Sequence, residues 1–167
     1  RTFYEFVYDA NGNMTSEIYA SWNTKTSAWE NKNRQENAYN EKGALISEAK
    51  YTWNTEKICW DGDSKSDFLY DDEGNPTVEI SNYWTGISWV GKYKYEFTYD
   101  LTCSIDNVFV PNYYSFMPQN ADAIVHKPLD YVFSYFIEGE WVAMYKAEYV
   151  YSPVAATAVC SVARTEW

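Results

Sequence analysis

Tyr8-Asp9-Ala10-Asn11-Gly12 returns as Tyr39-Asn40-Glu41-Lys42-Gly43 and again as Tyr70-Asp71-Asp72-Glu73-Gly74, each copy 31 residues after the last. A fixed period of this size marks stacked supersecondary units and decides the fold before any local preference does. The five residues read as a turn. An Asp or Asn opens it with a side chain that bonds its own backbone, and a Gly three residues later accepts positive φ without steric cost.

Outward from the turn, each Tyr is preceded ten residues earlier by a Trp: Trp29 and Tyr39, Trp60 and Tyr70, Trp89 and Tyr99, Trp141 and Tyr151. That interval defines one strand. Strict alternation along it places Tyr93, Tyr95, Phe97 and Tyr99 on one face and Lys92, Lys94, Glu96 and Thr98 on the other, the pattern of a half-buried antiparallel strand. Tyr4, Phe6 and Tyr8 fit the same pattern, as do Tyr145, Tyr149 and Tyr151. A second strand follows the turn, with Met14, Ile18 and Trp22, then Leu45, Ala49, Tyr51 and Trp53, then Val78, Ile80 and Trp84 on its apolar face.

The expected fold is therefore all-β: an antiparallel meander of 31-residue hairpin repeats forming one twisted, curled sheet, partly closed by an insertion and the C-terminal tail. The chain reads as a single domain, 1–167, with copies over about 1–28, 29–59, 60–88, 89–103 and 131–152. The insertion is 104–130, rich in Pro and aromatic residues such as Pro111, Tyr113, Phe116 and Pro118, and the tail is 153–167. The Trp rule places a further Trp before Arg1, so part of a strand and a signal peptide are expected to precede the sequence.

With a left-handed Gly bulge in the turn, Tyr8 should face Met14 and Glu5 should face Glu17. The other hairpin should close Trp22 on Trp29, Trp53 on Trp60 and Trp84 on Trp89. The same register would set Glu17 opposite Arg34, Glu48 opposite Lys65 and Glu79 opposite Lys94.

A net charge of −11 argues against nucleic acid and anionic lipid, whose phosphates require a basic surface. The longest apolar run, 154–163, is far short of a membrane span. Cys59, Cys103 and Cys160 are widely spaced without a C-x-x-C, and their odd number leaves at least one unpaired. No cofactor motif is present.

Glu5, Glu36, Asp67, Glu96 and Glu148 each stand three residues before a repeat Tyr and would form an acidic column. Cation binding or glycoside cleavage is one reading. Against it, Arg34, Lys65, Lys94 and Lys146 stand two residues earlier on the same face and supply counter-charges. Asp61, Asp63 and Asp67 resemble a calcium loop loosely but lack its Gly and closing Glu. His126, the single histidine, has no nucleophile signature beside it. No catalytic or metal residue is assigned.

The aromatic residues carry the functional reading. Trp22, Trp29, Trp53, Trp60, Trp84 and Trp89 serve either as core and turn packing or as a stacking platform for sugar rings. Asn31, Asn33, Gln35 and Asn37 lie at aromatic-face positions of their strand by strict alternation, which would give a wet groove for a hydroxyl-rich ligand. The expected function is a non-enzymatic binding module for a glycan or a protein partner. A structural or oligomer-forming repeat protein is the alternative, and a polysaccharide-acting enzyme is a third reading.

The turn and period resemble the tyrosine–aspartate repeats of bacterial Rhs-type and teneurin-type surface proteins. The Trp spacing departs from those and is similar to a small family of secreted proteins of unknown function from gut-dwelling bacteria, built of Trp/Tyr-rich β-hairpins. Choline-binding cell-wall repeats are also aromatic-rich but have shorter units. The resemblance covers about residues 3–100 and 131–151. It implies export, with a secreted, periplasmic or cell-surface location, and a β-repeat sheet. It carries over no catalytic residue.

Overall fold

The turns close as their residues dictate. In the computed structural model, which describes residues 1–107, 123–151 and 160–166, Asp9 Oδ1 accepts from the N–H groups of Asn11 and Asn13, both at 2.9 Å. Gly12, at φ 87°, donates its N–H to the Asp9 carbonyl at 3.1 Å. Asn40 repeats this with the N–H groups of Lys42 and Ala44. The other hairpin carries a cap that the motif did not reveal: Asn23 Oδ1 accepts from the N–H groups of Lys25 and Thr26, and Asn54 Oδ1 from those of Glu56 and Lys57.

Between these turns run β1 (Thr2–Tyr8), β2 (Met14–Asn23), β3 (Ala28–Tyr39), β4 (Leu45–Asn54), β5 (Cys59–Tyr70), β6 (Pro76–Trp84), β7 (Trp89–Ser104), β8 (His126–Ile137), β9 (Glu140–Tyr151) and β10 (Cys160–Glu166). Strands adjacent in sequence are adjacent in one antiparallel sheet, so the fold is the all-β meander expected from the repeat. A short 3-10 turn, Ile105–Asn107, follows β7. The residues 126–130, read above as the end of the insertion, belong to β8. Most of the insertion and the start of the tail lie outside the described residues, and with them their expected closure of the sheet.

The register departs from strict alternation at two recurring places. Tyr8 pairs with Met14, as the turn requires, but Val7 pairs with Ser16, leaving Thr15 as an extra residue. Ile46 and Leu129 are extra at the same point of later copies. The second bulge lies three residues past the Trp: Lys32, Asp63 and Met144 each stand unpaired between matched neighbours. A bulge puts two residues opposite one and transfers every later side chain to the other face.

Three expectations fall to these bulges. Glu5 pairs with Ile18 and not with Glu17. Arg34 pairs with Ile18 while Glu17 meets Gln35, and Lys65 pairs with Ala49 while Glu48 meets Ser66. Asn31 shares a face with Ala20, whereas Asn33 shares the opposite face with Tyr19, so the amides do not line one surface.

The chain divides into two compact units, Arg1–Asp67 with Ser81–Gly91, and Phe68–Ile80 with Lys92–Trp167. Within the first, the tryptophans share a face with Phe3, Glu5, Ile18, Ala20, Arg34, Glu36, Ala49 and Tyr51, while Tyr4, Tyr19, Asn33, Gln35 and Lys50 take the other. Only a thin layer is sealed there: Ala20 and Ala49 are buried.

Within the second unit, Phe97, Tyr131, Phe133, Ala147 and Tyr149 form a buried cluster flanked by Tyr93, Tyr95, Tyr99, Tyr145 and Tyr151. That is the aromatic face expected for the strand ending at Tyr99. Three of the tyrosines that stand ten residues after a Trp also tie the preceding strand down. Tyr39, Tyr99 and Tyr151 donate their hydroxyls to the carbonyls of Met14, Pro76 and Pro128 at 3.0, 2.7 and 2.5 Å.

Candidate functional site

The predicted tryptophans meet in pairs across the hairpins, as their register requires. Trp22 and Trp29 have ring centroids 5.4 Å apart at 77°, Trp53 and Trp60 5.0 Å at 72°, and Trp84 and Trp89 5.1 Å at 60°. Edge-to-face rings satisfy their quadrupoles and add about 0.5–1.5 kcal/mol per pair beyond area burial. They present no flat shared surface. Trp89 also meets Tyr51 at 5.8 Å and crosses Gly62, where any Cβ would stand 2.6 Å from the indole. Burial there pushes the Tyr51 phenol up. Five of these six tryptophans are half-buried packing residues.

Trp29 is the exception, with 47% of its surface exposed. Together with Phe3, exposed to 46% and 5.8 Å away at 50°, it walls a groove of about 380 Å³. Ile18 and Ala20 form the floor, and Glu5 and Asn31 supply the polar atoms. The cross-strand pairs Phe3 with Ala20, Glu5 with Ile18, Ala20 with Asn31, and Trp22 with Trp29 place all six residues on one face. Of the predicted binding residues, the groove thus unites Trp29 and Asn31. Asn33 and Gln35 go to a polar hollow of about 250 Å³, with Glu17, Tyr19, Lys50 and Asp63.

The acidic column is bound by its own cations. Arg34 pairs with Glu36, Lys65 with Asp67 at 2.8 Å and Lys94 with Glu96 at 2.8 Å. Lys146 holds Asp130 at 2.9 Å and Glu148 at 3.8 Å. Glu5 differs, because Phe3 stands where the other copies have Lys or Arg. Among the described residues, no cationic nitrogen lies within ion-pair distance of Glu5. Beside Trp29 and Asn31, the lack of a basic residue two positions before Glu5 is the mark of this groove that the sequence carries.

Other candidates are engaged elsewhere. Asp61 accepts from Asn54 Nδ2 at 2.6 Å, which holds its carboxyl below its ordinary range, and it faces Thr52, away from Asp67. Among the described residues, no three Asp, Glu, His or Cys side chains converge as metal ligands. His126 Nδ1 lies 3.1 Å from Asn75 Nδ2, and Asn75 Oδ1 accepts from the N–H groups of Val125 and His126. The buried Asn75 thereby clips the start of β8 to the Asp71 turn. Cys59 and Cys103 are unpaired thiols. Among the described residues, no helix is long and apolar enough to cross a membrane.

No family model and no curated protein matches this chain. Solved structures do. A protein of unknown function from Bacteroides fragilis is similar over 92% of this chain and 93% of its own, with 12% identity and a TM-score of 0.52. A DUF3836 family protein from Parabacteroides distasonis covers 49% of this chain and 71% of its own, at 20% identity and a TM-score of 0.36. A DUF3836 family protein from Bacteroides vulgatus covers 54% and 96%, at 14% identity and a TM-score of 0.38. The first similarity is one of fold.

Proposed function

We propose that this chain is a non-enzymatic binding module, secreted or displayed at the cell surface, whose ligand is a glycan or a protein partner seated in the groove between Phe3 and Trp29. The observation that carries the reading is the exposure of these two rings, above an apolar floor, beside one amide and one carboxylate. Ring faces supply stacking area, and a few placed polar groups fix orientation, which is the usual makeup of a ligand site. Against catalysis stands the pairing of the repeated carboxylates with in-strand cations, which gives them similar environments and no split between acid and base.

The test is a glycan and peptide panel read by tryptophan fluorescence. A ligand that quenches the wild type should leave Trp29→Ala silent, and silence of the wild type across the panel would retire the reading.

One observation favours an oligomer-forming role instead. Edge strand β1 exposes Phe3, Tyr4, Phe6, Val7 and Tyr8, between 46% and 58% each, on both faces. Unpaired apolar edges recruit further strands. Light scattering showing a dimer or filament at micromolar protein, abolished by charges placed on β1, would favour that role.

A further inference from the structure

The second unit contains, filled by its own side chain, the site that the groove leaves open. Lys94 Nζ bonds Glu96 Oε2 at 2.8 Å and lies 5.5 Å from the centroid of the Trp141 ring. The lysine is only 17% exposed there, so its ammonium is held between a carboxylate and an indole. These three residues occupy the repeat positions of Phe3, Glu5 and Trp29: five and three residues before a turn Tyr, and the Trp that opens the next such strand. In the groove the carboxylate and the indole remain, but Phe3 supplies no ammonium. Arg1, just ahead of β1, forms no ion pair with Glu5.

We infer that the groove takes a lysine side chain of a protein partner, its ammonium on the Glu5 carboxylate and over the Trp29 ring, its methylene stem along Ile18 and Phe3. This rests on the groove being a binding site. An ammonium between a carboxylate and an indole face gains a charge-assisted hydrogen bond and a cation–π contact together. Lys94 shows that this fold accommodates the arrangement.

The probes are the blocked tripeptide acetyl-Gly-Lys-Gly-amide, its Nε-acetyl-lysine counterpart and a glucosamine trimer, titrated by calorimetry and tryptophan fluorescence. Acetylation should weaken binding about tenfold or more, and Glu5→Gln should erase that difference. Phe3→Lys restores the residue type the other copies carry and should fill the site, abolishing peptide binding while circular dichroism stays unchanged. Equal binding of the two peptides, or full binding by Phe3→Lys, overturns the inference. Glu5-dependent binding of the glucosamine trimer alone overturns the lysine assignment. A neutral glycan that quenches the wild type but not Trp29→Ala, with no response to Glu5→Gln, overturns this inference and leaves the binding module standing; silence toward every ligand defeats both.

Discussion

Adding one methyl group at Gly62 tests the packing of the tryptophan face. A Cβ there would lie 2.6 Å from Cη2 and Cζ2 of Trp89 and 2.8 Å from Cδ2 of Trp84. Both neighbours are rigid rings held by their mutual contact at 5.1 Å, so neither yields as a flexible chain end would. Overpacking of this kind costs about 1–3 kcal/mol. Gly62 does not have positive φ, so alanine also restricts the unfolded chain, which returns about 0.4–1 kcal/mol. The clash outweighs the entropy gain, and Gly62→Ala should destabilise by about 1–2 kcal/mol, a fall in Tm of roughly 2–8 °C for a chain of this size. Thermal unfolding followed by near-ultraviolet circular dichroism reads both the Tm and the coupled indoles. Replacing Trp89 by Phe in the same background should shrink the cost. A Tm equal to or above that of the wild type would refute the placement of Trp89 across β5.

Ile58 sits at φ 56° with 75% of its surface exposed, a left-handed conformation that a β-branched residue rarely takes. Ile58→Asn should stabilise by about 1 kcal/mol in urea titration, since Asn tolerates this region and little burial is lost. Tyr99→Phe removes the hydroxyl that donates to the Pro76 carbonyl at 2.7 Å and should cost about 1 kcal/mol by the same measurement. Burial, with the Tyr145 phenol and Glu79 nearby, raises Tyr95 to about 12, and burial raises Tyr99 as well. Because the fold favours the neutral phenols, their contribution is complete below about pH 10 and is lost as pH rises toward 12. The urea midpoint should therefore hold to about pH 10 and then fall, with some phenols remaining un-ionised until unfolding.

The period, the Asx-and-Gly turns, the Trp pairs and the in-strand ion pairs were legible because each depends on residue type at a fixed offset. Asp9, Gly12 and Trp22 with Trp29 behave as those offsets require. The bulges were not legible. Lys32, Asp63 and Met144 share no chemistry, and Thr15, Ile46 and Leu129 mix a hydroxyl with plain aliphatic chains, since an extra residue in a ladder needs only a backbone that bends. The ten-residue Trp-to-Tyr interval looks the same whether or not one of its residues is unpaired. Its even length therefore concealed that, in β3 and β9, Trp and Tyr take opposite faces. The groove was half visible: Trp29 and Asn31 stand out as an aromatic ring and an amide. Glu5 looks by position like four paired carboxylates, and only Phe3, in the place of a cation, sets it apart.

The bulge at Lys32 decides which residues join Trp29 on the groove side, and cross-strand proton NOEs between β2 and β3 read it out. The bulged ladder gives contacts pairing Asn33 with Tyr19 and Arg34 with Ile18. Contacts pairing Arg34 with Glu17, the unbroken ladder, would contradict it.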